Sequence, residues 1–249
     1  MLNADVDWEG FPADPYLKNN YSKLAEDDRQ ILEHMRDFFA GAGAVGGSGL
    51  DVGCGPNFYP SMAQLPFCDN VTLIDFCSRN VDRMSEEIGR DHGPDPSWDA
   101  FWAVLRVNPA YLHIEDFRAL LKGKAKVQYG NVLELDPRQY DIGTMFFVAE
   151  SMTGETFEFR EAVHKFVGSL RKGAPFAMAF MTGSNGYPVD GKWFPAVSIS
   201  REDVRECLTG EAEEMEFHDI GMREPRLREG YEGMLLATGR SSSGRESGR

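Results

Sequence analysis

A short apolar run that breaks into two glycines constrains this chain most. Residues 50–57 read Leu-Asp-Val-Gly-Cys-Gly-Pro-Asn, so Gly53 and Gly55 directly follow a strand candidate. Glycines at these positions allow a tight turn and let a ligand approach the backbone closely. Asp75 ends the next apolar run, where a carboxylate can accept hydrogen bonds from ribose hydroxyls. The loop and the acid together predict a nucleoside-binding site.

The sixth position of the loop narrows the ligand. Dinucleotide sites carry Gly or Ala there, at the helix N-terminus that receives a pyrophosphate. This chain has Phe58 at that position, after Pro56 and Asn57. The pattern therefore favours a nucleoside ligand without a pyrophosphate.

Strand and helix patterns alternate along most of the chain. After an extended, Pro-containing start, Ile31, Met35 and Phe38 recur at helical spacing. The predicted helices cover residues 22–39, 78–90, 159–170 and 200–208, and the predicted strands cover residues 49–52, 71–75, 124–129, 142–149, 176–181, 215–220 and 234–238. This alternation predicts an α/β fold with a parallel sheet covered by helices on both faces.

The length of 249 residues fits one large domain, which we predict over residues 1–239. Two stretches fall outside the alternation, residues 91–122 and the Gly- and Pro-rich residues 184–195, and both are expected on the substrate side. Residues 240–249 are of low complexity and are predicted to be a disordered tail.

Composition limits the partners. The chain has 40 acidic and 26 basic residues, a formal charge of −14, which repels phosphate backbones and anionic lipid. We therefore expect a small-molecule partner, no nucleic acid and no membrane, and the sequence is compatible with a monomer. The acidic start lacks signal-peptide features, which favours a cytoplasmic protein. The four cysteines and five histidines lack metal-ligand spacing, so no metal site is expected.

The glycine loop followed by Asp75 resembles motif I and the next acidic position of class I S-adenosylmethionine (SAM)-dependent methyltransferases. Five further segments are similar to the nicotinamide, phenylethanolamine and indolethylamine (thioether) N-methyltransferases, in the same order. They are Asp-Pro-Tyr-Leu-Lys-Asn-Asn-Tyr at 14–21, Gly-Pro-Asn-Phe-Tyr at 55–59, Asp-Phe-Cys-Ser-Arg-Asn at 75–80 and Leu-Arg-Lys-Gly at 170–173, and a Tyr-x-x-x-Gly hairpin begins at Tyr187. The resemblance runs from residue 14 to 239. It implies a Rossmann-like class I methyltransferase fold, a seven-stranded, mostly parallel sheet with an N-terminal helical lid over residues 1–40.

Carried over position by position, the resemblance implies a set of cofactor contacts. These are Tyr16, Tyr21, Gly53, Gly55, Asn57, Tyr59, Asp75, Phe76, Asn80, Asn131 and Val132. Tyr16 and Tyr21 fit equally well as core aromatics that close an N-terminal helix. Asn131 departs from the family, which has an acid there to receive the adenine amino group, although its side-chain carbonyl can still accept one bond.

The resemblance also implies an acceptor site. Glu150 follows the predicted fourth strand, at the edge where open α/β sheets bind ligands, and matches an amine-facing glutamate of the phenylethanolamine enzyme. A carboxylate there can hold a cationic amine or accept its proton. Tyr187 and Trp193 are expected to wall the pocket. The family's second acid near residues 181–185 is missing, so the same amine is not implied.

The implied activity is transfer of a methyl group from SAM to a small molecule, with S-adenosylhomocysteine (SAH) as product. The favoured acceptor is the nitrogen of an amine or N-heterocycle. The alternatives are an O- or C-methyltransferase of specialised metabolism, with Glu150 or His164 as a base, and a non-catalytic nucleoside-binding protein.

Overall fold

A computed structural model of the chain describes residues 1–43, 46–221 and 230–242. Its helices are α1 Ala13–Asn20, α2 Glu26–Ala42, α3 Tyr59–Gln64, α4 Ser78–Gly89, α5 Trp98–Leu105, α6 Pro109–Leu112, α7 Phe117–Lys124, α8 Thr156–Ser169 and α9 Arg201–Leu208. Its strands are β1 Ser48–Val52, β2 Asn70–Asp75, β3 Ala125–Tyr129, β4 Ile142–Phe146, β5 Pro175–Thr182, β6 Gly186–Val189, β7 Lys192–Pro195, β8 Ala212–Ile220 and β9 Gly233–Ser241.

Seven strands form one sheet in the order β3-β2-β1-β4-β5-β9-β8. The first five strands of this order pair in parallel, and β9 runs antiparallel to both β5 and β8. Every residue of β4 is buried, as expected for a central strand with helices on both faces. The prediction of a seven-stranded, mostly parallel sheet is confirmed.

A hydrophobic cluster lies on each face of the sheet. Ile31 of α2, Phe58 and Trp98 belong to one cluster. Phe159 of α8 and Val204 of α9 belong to the other. These helices place their apolar stripes against the sheet and leave its carboxyl edge accessible between them.

The N-terminal segment is helical, as the resemblance implied, and is not extended, as the sequence pattern alone indicated. Residues 13–20 form the helix α1. Pro15 lies in the first turn of this helix, where no intrahelical partner is needed for the missing N–H. The predicted fourth strand is also shorter, because Phe147 takes a left-handed backbone conformation with φ 60° and ends β4 at Phe146.

The insertion over residues 91–122, expected on the substrate side, packs into the hydrophobic core. It carries α5, α6 and most of α7, and its Trp98, Phe101 and Trp102 side chains are buried in the cluster that contains α2. Burial of three large aromatic side chains favours packing against the domain over a position at the ligand edge.

The tail prediction is wrong at its first residues. Arg240 and Ser241 belong to β9, and the Ser241 N–H donates to the carbonyl of Ala174 at 2.9 Å. Arg240 also pairs with Glu214 of β8 at 3.0 Å. Residues 243–249 lie outside the described residues. Among the helices that are described, none is long and apolar enough to span a membrane.

Candidate active site

A cleft with about 890 Å³ of empty space lies at the carboxyl ends of β1, β2 and β4. The loop after β1 forms its floor, and Gly53 and Gly55 have φ angles of 60° and 50°. A Cβ on Gly53 would lie 2.4 Å from the Val148 side chain, so the loop fits only as glycine there. A Cβ on Gly55 would meet no neighbour closer than 4.0 Å, because that face of the backbone opens toward the cleft.

Asp75 holds the glycine loop from the end of β2. Its Oδ2 accepts the Gly55 N–H at 2.7 Å, while its Oδ1 accepts the Cys77 N–H at 2.9 Å and the Asn80 side-chain amide at 3.0 Å. Burial raises the pKa of the Asp75 carboxyl, and these hydrogen bonds oppose the rise. A carboxylate has about four lone-pair sites, so a ribose hydroxyl can still be accepted.

Three other predicted positions at this end of the cleft come together. Phe76 stacks near Tyr129 with ring centroids 5.4 Å apart, and Asn131 and Val132 follow β3. The Asn131 Oδ1 accepts the Leu133 N–H at 3.1 Å, so this side chain caps a short turn. All three residues line the cleft, as does Asn57 from the glycine loop.

Asp51 also lines the cleft and was not singled out from the sequence. It lies in β1 with 1% of its surface exposed, and its Oδ1 accepts the Thr144 hydroxyl at 2.7 Å. Its Oδ2 has no hydrogen-bond partner within the described part of the chain. Burial raises the pKa of Asp51 to about 8. The signal in the sequence was an acid inside an otherwise apolar strand.

The N-terminal segment covers the cleft. Tyr16 and Tyr21 line it, and so do Asn3, Trp8 and Phe11, which the sequence analysis missed. Tyr16 is half-buried, whereas Tyr21 is 4% exposed and contacts the rings of Tyr59, Trp98 and Phe101. Tyr21 is therefore both a wall of the cleft and a core aromatic residue.

Tyr59 is not placed where the resemblance implied. Its side chain is fully buried, stacks on Phe101 with centroids 5.7 Å apart, and does not line the cleft. Tyr59 is the first residue of α3, so its side chain points into the helical layer under the loop. Its backbone N–H donates to the Asn57 Oδ1 at 3.0 Å.

A second cavity with about 680 Å³ of empty space adjoins the cleft, and we call it the side cavity. Tyr16, Tyr21, Phe147 and Tyr187 line both spaces. The side cavity also includes Asp28 of α2, the one charged residue among its described lining residues.

Glu150 lines neither space. Its side chain is fully buried, and its Oε1 accepts the Met181 N–H and the Ser151 hydroxyl, each at 3.0 Å. The carbonyl of Glu150 also accepts the Val197 N–H at 2.7 Å. The carboxylate therefore ties the end of β5 to the segment after β4, because β5 extends past β4 and its amide needs an acceptor.

The two residues of the β6–β7 hairpin that were expected to wall the pocket lie in different places. Tyr187 lies at the junction of the cleft and the side cavity, where its hydroxyl donates to the Ser151 carbonyl at 3.3 Å. Trp193 is 62% exposed and covers Gly186, away from both spaces. His164, the other candidate base, is exposed on α8, where its ring lies 3.1 Å from the Cys207 carbonyl.

The cleft fits a nucleoside that carries an amino-acid arm. Asp75 offers acceptor oxygen to ribose hydroxyls, and the space above Gly55 lets a ligand contact the loop backbone. The buried Asp51 Oδ2 lacks a partner among the described residues, and an ammonium group satisfies such an oxygen. SAM combines these groups in one molecule.

Solved structures with this fold include complexes with SAH or SAM. The chain resembles the N-methyltransferase NodS from Bradyrhizobium japonicum WM9 in complex with SAH, with 16% identity, a TM-score of 0.56 and 94% of each chain covered. It resembles a SAM-dependent methyltransferase from Methanosarcina mazei at 12% identity and a TM-score of 0.55, over 82% of this chain and 97% of that one. A DhpI complex with SAM and HEP matches at 14% identity and a TM-score of 0.51, over 96% and 92% of the two chains. No curated protein sequence matches the chain.

The sheet order, glycine loop and acid after β2 define a class I SAM-dependent methyltransferase. The sequence model of the NNMT/PNMT/TEMT family matches residues 2–225. The chain belongs to this family, so the predicted fold, enzyme class and cofactor are confirmed.

Proposed function

We propose that this enzyme methylates the nitrogen of a small amine. The proposal rests on the side cavity, which adjoins the cofactor cleft. Its described lining residues include aromatic rings and one carboxylate but no lysine or arginine. Aromatic faces and a carboxylate favour a cation, and the absence of basic side chains from this lining disfavours an anionic acceptor.

Residues of the cleft would hold the cofactor in a fixed orientation. Asp75 would accept ribose hydroxyls, Asn131 and Val132 would contact the adenine, and Asp51 would accept the ammonium of the amino-acid arm. When bound, SAM supplies a methyl group on a positively charged sulfur. The cleft and the side cavity meet at Tyr16, Tyr21 and Tyr187, which would allow an acceptor to lie beside the bound cofactor.

The protein would align the amine with the cofactor, exclude water and remove a proton from the amine. Residues at the junction would orient the amine so that its lone pair could accept the methyl group, the nitrogen would lose one proton, and SAH would remain as the other product. Positioning of the two reactants in line accounts for most of the rate gain expected from such a site. The N-terminal segment with Trp8 and Phe11 closes the cleft from solvent, which suits a reaction at a sulfonium.

Transfer to oxygen or carbon is the second candidate. Tyr16, Tyr21 and Tyr187 place phenol hydroxyls around the junction, and such groups can orient a hydroxyl acceptor as well as an amine. The two bases that the sequence offered for this chemistry, Glu150 and His164, lie outside both spaces. The arrangement therefore supports the amine over the hydroxyl or carbon acid.

A labelled-donor screen tests the proposal. The enzyme is incubated with SAM labelled in its methyl group and with separate pools of alkyl and arylalkyl amines, N-heterocycles, phenols and carbon acids. We expect label in the amine pool and N-methyl products by mass spectrometry. Label confined to phenols or carbon acids would select the second candidate, and no transfer with intact SAH binding would favour a protein that binds the nucleoside without turnover.

A further inference from the structure

We propose that Asp28 is the residue that holds the acceptor, and that the acceptor is a compact amine, cationic at neutral pH, with an apolar body. This inference rests on the proposed function, because it assigns the substrate contact within the same site. Neither the sequence motifs nor the family resemblance pointed to this position. It replaces Glu150 as the acid nearest the substrate.

Asp28 is buried and yet faces a cavity. Its side chain is 2% exposed, it lies in the first turn of α2, and it lines the side cavity. A buried carboxylate needs compensating contacts, and the partial positive charge at a helix N-terminus supplies part of the compensation. Because Asp28 lines the side cavity, a cation bound there can approach its carboxyl group.

The groups around Asp28 match an ammonium with an apolar body. Tyr16, Tyr21, Phe147 and Tyr187 form ring walls, and Met181 and Met234 complete an apolar side. Cations lie favourably over aromatic faces, and the attraction grows as water is removed. Burial raises the pKa of the Tyr21 and Tyr59 hydroxyls, and the nearby Asp28 adds to the rise at both.

The position of Asp28 suits the chemistry of transfer. The side cavity meets the cofactor cleft at Tyr16, Tyr21, Phe147 and Tyr187, so an amine held by Asp28 presents its nitrogen toward the junction. An ammonium must lose one proton before its lone pair can attack. The Asp28 carboxylate can take that proton and release it to water, and the methylated product leaves as a new ammonium. Charge and atoms balance with one proton released for each methyl transferred.

Two variants separate this role from general electrostatics. Asp28→Asn keeps the size of the side chain and removes its charge, while Glu26→Gln removes an exposed charge from the same first turn of α2. Each protein is saturated with SAH and titrated by calorimetry with matched pairs, benzylamine and benzyl alcohol, isopentylamine and isopentanol. Steady-state rates with SAM are measured for the amines that bind.

We expect Asp28→Asn to lose amine affinity by about 10- to 100-fold, the range for a hydrogen bond to a charged group. Alcohol and SAH affinity should stay within about twofold, and Glu26→Gln should match the wild type. Wild-type amine binding and turnover that persist unchanged in Asp28→Asn would overturn the role of Asp28 and leave the proposed function standing. A wild-type enzyme that binds and methylates alcohols but no amine would overturn both.

A third variant, Val189→Phe, covers the case in which Asp28→Asn does not fold. The larger side chain would fill part of the side cavity from β6 without changing a charge. We expect it to block amine binding while SAH still binds normally. Undiminished amine binding in Val189→Phe would place the acceptor outside the side cavity and contradict the inference.

Discussion

The Oε1 atom of Glu150 accepts the backbone N–H of Met181 at 3.0 Å and joins the segment after β4 to the end of β5. The contact is fully buried, so removing the acceptor leaves an amide without a partner. We expect Glu150→Ala to lower the free energy of unfolding by about 1–3 kcal/mol. Glu150→Gln keeps an acceptor oxygen and should cost less. Urea unfolding of both variants checks the order.

The same pair of variants tests the sequence prediction that Glu150 contacts the acceptor. If that prediction holds, Glu150→Gln lowers kcat/KM by about 30- to 1000-fold at unchanged stability and cofactor affinity. If the structural role is the whole role, kinetics follow the fraction of folded protein. Kinetic and unfolding measurements on Glu150→Gln therefore distinguish a substrate contact from a structural role.

The buried Asp51 carboxyl should make the stability of the ligand-free protein depend on pH. Its pKa is raised from 3.8 to about 8 by burial, so its stabilising contribution is full below pH 3.8 and is lost as the pH rises through about 8. Asp51→Asn should therefore raise the free energy of unfolding of the ligand-free protein at pH 8, by about 1–2 kcal/mol. At pH 5 the gain should be smaller. Equal pH dependence in both proteins would remove Asp51 as the cause.

Asp51→Asn should also weaken SAH binding, because an ammonium prefers a charged acceptor. The effect should grow as the pH rises toward 8, where the wild-type carboxyl ionises. Calorimetry at pH 6 and pH 8 measures it. An affinity that the substitution leaves untouched at both values would place the amino-acid arm elsewhere.

Asp75 holds the glycine loop through Gly55 and is expected to accept a ribose hydroxyl. Asp75→Ala is expected to weaken SAH binding by about 1–3 kcal/mol, because the contact with the glycine loop and the contact with the ribose are lost together. Asp69→Ala is the matched control, because Asp69 also accepts a backbone N–H, that of Gly47 at 2.9 Å, at the opposite end of the strands. The control should bind SAH like the wild type. Calorimetric titration of both folded variants with SAH decides the prediction.

Tyr16 and Tyr21 should respond differently to truncation. Tyr21 is nearly fully buried among aromatic rings, so Tyr21→Ala should cost about 3–5 kcal/mol of unfolding free energy in the ligand-free protein. Tyr16 is half-buried, so Tyr16→Ala should lower the unfolding free energy by no more than about 1 kcal/mol. The same substitution should slow turnover. Equal stability losses would mean that α1 is part of the core rather than a cover over the cleft.

The cofactor half of the site was readable from the sequence because its geometry is local. Gly53, Gly55 and Asp75 belong to adjacent strand ends, and the hydrogen bond from Gly55 to Asp75 follows from their parallel pairing. Asp51 belongs to the same segment, and only its burial distinguishes it from a surface acid.

The acceptor half depends on tertiary packing. The packing of α2 on the sheet determines whether Asp28 reaches a cavity. The length of β5 relative to β4 determines whether Glu150 does. A short sequence motif predicts neither. Tyr59 shows the same limit. It sits in a family-like segment, yet the start of α3 directs its ring away from the cleft.

A crystal structure with SAH and a methylatable amine would show where the acceptor binds. We expect the amine in the side cavity, with its ammonium against Asp28. Its nitrogen should lie on the line of the departing bond, within about 3–3.5 Å of the expected position of the methyl carbon. An amine bound outside the side cavity, or one whose nitrogen points away from the sulfur of SAH, would overturn the assignment of the acceptor to this cavity.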